Sequence, residues 1–252
     1  MKRVAVSGKG GSGKTTITST LARLSGQKLG ELLAVDADPN PNLARSMGVE
    51  KDDWPLLPKE ILKVVEIDGK KATRLAFPVK AVIEKHAVKG PDNVQLLAIG
   101  EVDHANLGCL CSKHAIVREV VNAAMEDSDE AIIVDMEASL EHMRRGTIRH
   151  VDTLLVVTEP YYRALESAGR LIRLAREIGI PNILAVANKV RNKDEEQAIR
   201  DYLGKLDVSL VAVVPMDENI TQADLQGKAL MDMYPDAPAV NAIRGLSNTV
   251  FA

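Results

Sequence analysis

The chain of 252 residues has no long hydrophobic run, few aromatic residues, two cysteines and no excess of either charge. No apolar stretch approaches the roughly 18 residues that cross a bilayer, which excludes a membrane-spanning helix. After Met1-Lys2-Arg3 the apolar run is only Val4-Ala5-Val6, too short for a secretory signal, so a cytoplasmic protein with reduced thiols is expected. Two cysteines cannot form a disulfide framework, and a chain of this length does not need one. One Trp, four Tyr and two Phe offer no platform for stacking bases. The 32 Lys and Arg stand against 35 Asp and Glu, a net charge of −3. That balance argues against a general nucleic-acid binder.

Hydrophobic residues make up 46% of the chain and charged residues 27%, enough apolar material for a full core. Apolar runs at Arg3–Ser7, Leu32–Asp36, Val94–Ile99, Ala131–Asp135, Leu154–Thr158, Ile183–Asn188 and Ser209–Val214 mostly lack strict alternation. Parallel strands covered on both faces read this way. Between them, Thr15–Leu24, Tyr162–Ile178 and Asp194–Leu203 carry apolar residues at three- and four-residue steps, and Gly179-Ile180-Pro181 closes the second of these helices. The alternation predicts an α/β fold, a doubly wound and mostly parallel sheet flanked by helices, as one domain over residues 1–252. The stretch from Glu50 to Leu107, broken by several prolines, is expected to be an insertion packed on the sheet, with a short helical piece.

The strongest motif follows the first strand. Gly8-Lys9-Gly10-Gly11-Ser12-Gly13-Lys14-Thr15-Thr16 satisfies the phosphate-loop pattern in its strand–loop–helix setting. Its glycines let backbone N–H groups curl around phosphate oxygens, and the next helix adds its positive end. Gly10, Gly11, Ser12, Gly13, Lys14, Thr15 and Thr16 are therefore expected nucleotide ligands. Lys14 would reach the β- and γ-phosphates, Thr15 a Mg²⁺ ion, and Thr16 the α-phosphate. Residues 1–48 hold seven Lys and Arg against three acids, a local charge that suits a polyanion. Asp36-Ala37-Asp38-Pro39 follows the second strand, at the sheet edge where ligands of such folds bind. Asp135 ends another strand as a Mg²⁺-linked acid of these enzymes does, and Glu137 is read as a switch residue. Asn188-Lys189 opens like a guanine-reading motif, but Val190-Arg191 follow without the acid that pairs guanine donors, which favours ATP over GTP. Asn188 and the backbone at Pro215 are expected beside the adenine.

Cys109-Leu110-Cys111 contains both cysteines. Two thiols one residue apart do not readily bond each other but can face one metal. Two thiolates fall short of a tetrahedral set, and a twofold axis would supply four. Spacing alone leaves open whether they bind metal or are buried as small apolar groups. His114 and His142 read better as surface or structural residues than as ligands.

The loop resembles the deviant Walker A form of the MinD-like and nitrogenase iron protein group of P-loop NTPases. That resemblance implies that Lys9, otherwise a solvated loop lysine, crosses a dimer interface to the partner's phosphates. It also assigns to Asp38 the acid that holds the Mg²⁺ shell or orients the attacking water. Taken with Cys109-Leu110-Cys111, Asp135-Met136-Glu137-Ala138, Glu141-His142, Arg145-Gly146-Thr147 and Asn188-Lys189-Val190-Arg191, the chain resembles the CooC-type nickel-handling ATPases of carbon monoxide dehydrogenase maturation. It likewise resembles the closely similar accessory ATPase of acetyl-CoA synthase. Ser139 departs from the glycine expected after Asp-Met-Glu-Ala. The resemblance implies ATP/ADP and Mg²⁺ as cofactors, catalytic Lys9, Lys14 and Asp38, Mg²⁺ on Thr15, Asp38 and Asp135, and a nucleotide-dependent homodimer. It further implies one Ni²⁺ (or Zn²⁺) across two copies of Cys109 and Cys111, a nickel-enzyme client, and neither nucleic acid nor membrane as partner. Two other classes are weighed. One is an electron carrier with a [4Fe–4S] cluster on the same four thiolates. The other is a positioning ATPase, which usually needs a basic tail. Residues 231–252 hold Arg244 alone as a basic group, with Asp232 and Asp236.

Overall fold

The computed structural model describes residues 2–38, 41–50, 57, 59–67, 69–98, 119–124, 131–136 and 150–251. Ten strands occur among them: β1 (Arg3–Gly8), β2 (Leu32–Asp36), β3 (Leu62–Ile67), β4 (Lys70–Leu75), β5 (Val88–Lys89), β6 (Val94–Ala98), β7 (Ala131–Asp135), β8 (Thr153–Thr158), β9 (Asn182–Val190) and β10 (Ser209–Pro215). The helices are α1 (Lys14–Leu29), α2 (Leu43–Met47), α3 (Val79–His86), α4 (Tyr162–Ile178), α5 (Lys193–Gly204), α6 (Glu218–Leu225), α7 (Leu230–Met233) and α8 (Pro238–Val250), with a further helical stretch at 119–124.

Eight strands form one sheet in the order β10-β9-β8-β1-β7-β2-β6-β5. All pairings are parallel except β5 with β6. Each of the seven apolar runs in the sequence is a strand of this sheet. Their lack of alternation has a simple cause. Val4 and Val6 face one apolar layer with Ile17, Leu21 and Ile243, while Ala5 faces another with Val156, Leu171 and Ile172. Side chains alternate between faces, but both faces are buried, so both must be apolar. Helices α1 and α8 cover the first face; α3, α4 and α5 pack on the second.

Strand β1 lies between β7 and β8, and the chain winds outward from it in both directions. Ligands of such sheets bind at the carboxyl ends of the strands where the winding reverses. That point is where β1 ends in Gly8 and the phosphate loop begins.

Within 50–107 the structure is more regular than the proline breaks suggest. β5 and β6 extend the main sheet, while β3 and β4 form an antiparallel hairpin of their own. The sequence carries a hairpin-turn pair, Asp68-Gly69, but only the run before it is rich in strand formers, and Lys70-Lys71-Ala72-Thr73-Arg74-Leu75 after it is not. Leu62 and Leu75 pack the hairpin on the core, and Val64 is exposed. Helix α3 supplies the expected short helical piece. Cys109, Cys111, His114, Glu137, Ser139, His142 and Pro39 lie outside the described residues.

Candidate nucleotide site

The phosphate loop is held from several sides. Gly13, at φ 87°, is the N-cap of α1, and Gly11 has φ 81°; both angles lie where L side chains are strained. The Ser12 N–H donates to the Lys9 carbonyl at 3.1 Å. The Lys14 ammonium donates to the same carbonyl at 3.4 Å and is buried. Thr15 and Thr16 follow at the first turn of α1, half-buried. Lys9 and Gly10 are exposed at the rim.

Strand β9 braces the loop from beneath. Asn188 Nδ2 donates to the Ser12 carbonyl at 2.7 Å, and Lys189 Nζ donates to the Gly11 carbonyl at 2.6 Å. Lys189 also pairs with the nearly buried Glu159 at 2.8 Å. It does so with φ 58°, unusual for a residue with a side chain. The sequence pointed to Asn188 for base recognition but not to Lys189 and Glu159 as loop supports. Their contact depends on the bend at Lys189, which no local pattern announces. Among the described residues, Asn188 Oδ1, Ser7 Oγ and Ser12 Oγ are buried without a hydrogen-bond partner. Such atoms cost stability unless a ligand or water satisfies them, so polar groups capable of receiving a ligand lie directly at the loop. Pro215 ends β10 in register with Val190.

The acids converge next to the loop. Asp36 and Asp135 are register partners at the ends of β2 and β7, both buried. Burial, together with the charge of Asp135, pushes Asp36 up to about 8 from its ordinary 3.8. Burial raises Asp135 to about 6, against the opposing pull of the Thr15 hydroxyl, the Lys14 ammonium and the Thr18 hydroxyl. The Thr18 hydroxyl lies 3.2 Å from Asp135 Oδ1. Asp36 accepts the N–H of Asp38 at 3.1 Å and that of Leu43 at 2.9 Å. It therefore ties the turn after β2 to the start of α2. Asp38, half-buried, sits within this turn. Thr15, Asp38 and Asp135 are oxygen donors, the set a hard cation such as Mg²⁺ prefers.

The acid pair sets a pH dependence. A folded-state pKa above the unfolded one means that between about 4 and 8 the unfolded chain binds fewer protons, so stability falls as pH rises through that window. In divalent-free buffer the wild-type melting temperature should drop more steeply from pH 5 to pH 8 than that of Asp36→Asn, measured by calorimetry. Parallel profiles would show that Asp36 carries no such penalty.

A cleft of about 430 Å³ opens from the loop. Gly11, Gly13, Lys14, Thr15 and Thr16 form its inner end. Its outer walls are α2, through Arg45 and Ser46, and the segment from α6 to α7, through Ile220, Lys228 and Leu230. Asp217 fixes the second wall: Oδ1 caps α6 by accepting the Asn219 N–H at 3.0 Å, and Oδ2 accepts the Ala239 N–H of α8 at 2.9 Å. Neither Arg45 nor Lys228 stood out in the sequence, because they meet only when α2 and the α6–α7 turn fold onto α1.

Residues 4–230 match the model of the CobQ/CobB/MinD/ParA nucleotide binding domain family. An uncharacterised ATP-binding protein of Methanocaldococcus jannaschii is 35% identical over 236 residues, 90% of each chain. The carbon monoxide dehydrogenase accessory protein CooC of Rhodospirillum rubrum is 34% identical over 246 residues, covering 92% of this chain and 90% of its own. In fold, the chain is similar to the septum site-determining protein MinD of Pyrococcus horikoshii, solved with Mg-ADP, at a TM-score of 0.73, 21% identity, and 99% and 96% coverage of the two chains. A phosphate loop braced at the reversal point of a parallel sheet, buried acids at its side, and a family match across most of its length identify the chain as a member of the CobQ/CobB/MinD/ParA nucleotide-binding family, a CooC-type P-loop ATPase of the MinD/ParA group.

Proposed function

We propose that this ATPase is a metallochaperone that loads Ni²⁺ into carbon monoxide dehydrogenase or the related acetyl-CoA synthase. The reading is carried by one observation: a carbon monoxide dehydrogenase accessory protein is alike over nine-tenths of the chain. The sequence adds Cys109-Leu110-Cys111 as a soft-donor pair. Two copies of that pair around a twofold axis supply four thiolates to one ion, which is cargo. Thiolates suit both Ni²⁺ and Zn²⁺.

In this reading ATP lies in the cleft. The loop N–H groups and Lys14 hold its phosphates, and the nucleoside end extends toward the outer walls, while Asn188 holds the loop from beneath. Thr15, Asp38 and Asp135 hold Mg²⁺, which neutralises phosphate charge when bound. Lys9, exposed at the rim, reaches the partner's nucleotide and places positive charge where the transferred phosphoryl group gains negative charge. Because nucleotide and cargo both bridge two copies, each favours the dimer and thereby the other's binding. Asp36 gives the switch a lever. Its two backbone hydrogen bonds connect the Asp38 turn to α2, so loss of the γ-phosphate contact at Asp38 is passed to that helix. The expected place of action is the cytoplasm.

Nickel affinity and oligomeric state of Cys109→Ser, measured by equilibrium dialysis and light scattering with ATP or ADP, test the proposal. Tight nickel binding should be lost while basal ATP hydrolysis remains within about twofold of wild type, since this reading gives the thiols the cargo and not the phosphates. Unchanged tight nickel binding would defeat the shared site. A [4Fe–4S] absorbance and iron content in anaerobic protein would instead favour the electron-carrier reading.

A further inference from the structure

Arg23 lies on α1, two turns beyond the phosphate loop, and only 7% of it is exposed. A buried guanidinium is retained only where its donors are met. Its Nε pairs with Asp92 Oδ2 at 2.5 Å, its Nη1 with Asp232 Oδ1 at 2.7 Å, and Nη1 also approaches the Met47 carbonyl at 3.3 Å. These partners belong to three separate elements. Asp92 lies in the β5–β6 connection, Met47 is the last residue of α2, and Asp232 is in α7.

Two of these elements are the opposite outer walls of the nucleotide cleft. α2 carries Arg45 and Ser46 into it, and the turn leading to α7 carries Lys228 and Leu230. A second hollow of about 380 Å³ lies on its far side, lined by Gly48, Val49, Ala229 and Asp232, and shares Arg45, Gly227 and Lys228 with the first. Segment 227–232 is thus a partition between two hollows. Ala229 and Leu230 anchor it by apolar packing, and the N–H groups of Gly227 and Lys228 donate to the Asp224 and Ala223 carbonyls, tying its start to α6. The ionic link from Arg23 to Asp232 is directional and ties the α7 end of this wall to α1. At the same place α2 ends close to this acid: a Cβ on Gly48 would lie 2.5 Å from Asp232 Oδ2. Asp92 has φ 57° and also accepts from Gln27 Nε2 at 2.9 Å, so two side chains of α1 meet it.

We propose that Arg23 is a positioning residue that sets the separation of the cleft's outer walls and so tunes affinity for the nucleoside end of the nucleotide, without acting on the phosphates. This rests on the cleft being the nucleotide site. Arg23 touches no loop residue through the interactions described, and its reach ends on α2 and α7.

Asp232→Ala is the informative variant. Asp232 is half-exposed and Arg23 keeps Asp92 as partner, so folding should survive. Arg23→Lys, which keeps the charge but loses the fork, is its companion. Both should raise the KM for ATP and the dissociation constant for ADP about tenfold while leaving kcat at saturating ATP within about twofold. Inorganic tripolyphosphate, a probe of the phosphate loop alone, should inhibit wild type and variants equally. Equal weakening of ADP and tripolyphosphate, or no weakening of either, overturns the positioning role. Failure of wild-type protein to bind ADP overturns the nucleotide site itself.

Discussion

Lys14→Ala should reduce ATP turnover by about 10²- to 10³-fold or more, the scale seen when a preorganised charge is removed from a developing anion. Lys14 is buried at the inner end of the cleft, and among the described residues its ammonium has one hydrogen bond, a long one of 3.4 Å to the Lys9 carbonyl. It is therefore a charge held ready rather than one consumed by a strong ion pair. Its removal has a second effect. Lys14 opposes the burial-driven rise of Asp135, so without it Asp135 is protonated to higher pH and becomes a poorer Mg²⁺ donor. The variant should hence show weaker Mg²⁺ dependence as well as lost turnover, measured by phosphate release across a Mg²⁺ titration. Turnover within tenfold of wild type would place the phosphates somewhere other than this loop. Lys9→Ala separates the two lysines: it should impair hydrolysis while leaving ADP binding by the single chain intact.

Gly13→Ala is expected to damage both fold and site. At φ 87° any Cβ is strained, by about 1–2 kcal/mol. This one would also run into the Asn188 amide. Asn188 would have to give up its 2.7 Å bond to the Ser12 carbonyl, leaving buried polar groups unpaired at a cost of about 1–3 kcal/mol. Together these should lower stability by about 2–5 kcal/mol and abolish ADP binding, read by thermal unfolding and calorimetric titration. Gly10→Ala is the control for stability. A Cβ there meets nothing within 4 Å and the backbone angle is ordinary, so its melting temperature should match wild type. If both variants melt alike, the Gly13–Asn188 contact does not carry the loop.

The elements that were legible in the sequence share a property: their residues satisfy needs set by near neighbours. The core strands show as apolar runs because both sheet faces are covered, and α4 shows as a stripe through Leu165, Ala168, Leu171, Ile172 and Ala175. Gly179 ends that helix at φ 86°, as its position before Ile180-Pro181 suggested. The phosphate loop is contiguous, so its glycines, Lys14 and Thr15 could be named with their roles. The β3–β4 hairpin is different, since polar exposed residues such as Lys63 and Glu66 dilute its apolar signal. Strand β5 is two residues long, below what any pattern resolves.

By itself the sequence determined the mostly parallel sheet, the place of the phosphate loop and the family, because each is written in adjacent residues or in the order of motifs. The tertiary structure decided what the strands bring together across the sheet. Asp36 and Asp135 are about a hundred residues apart in the chain yet neighbours in register, and burial rather than identity raises their pKa values. Lys189 supports Gly11 from across 178 positions, and Arg23 joins α2, α7 and the β5–β6 connection. Such pairings arise from chain crossovers, and the shifts of Asp36 and Asp135 come from low-dielectric surroundings that only the packed core creates.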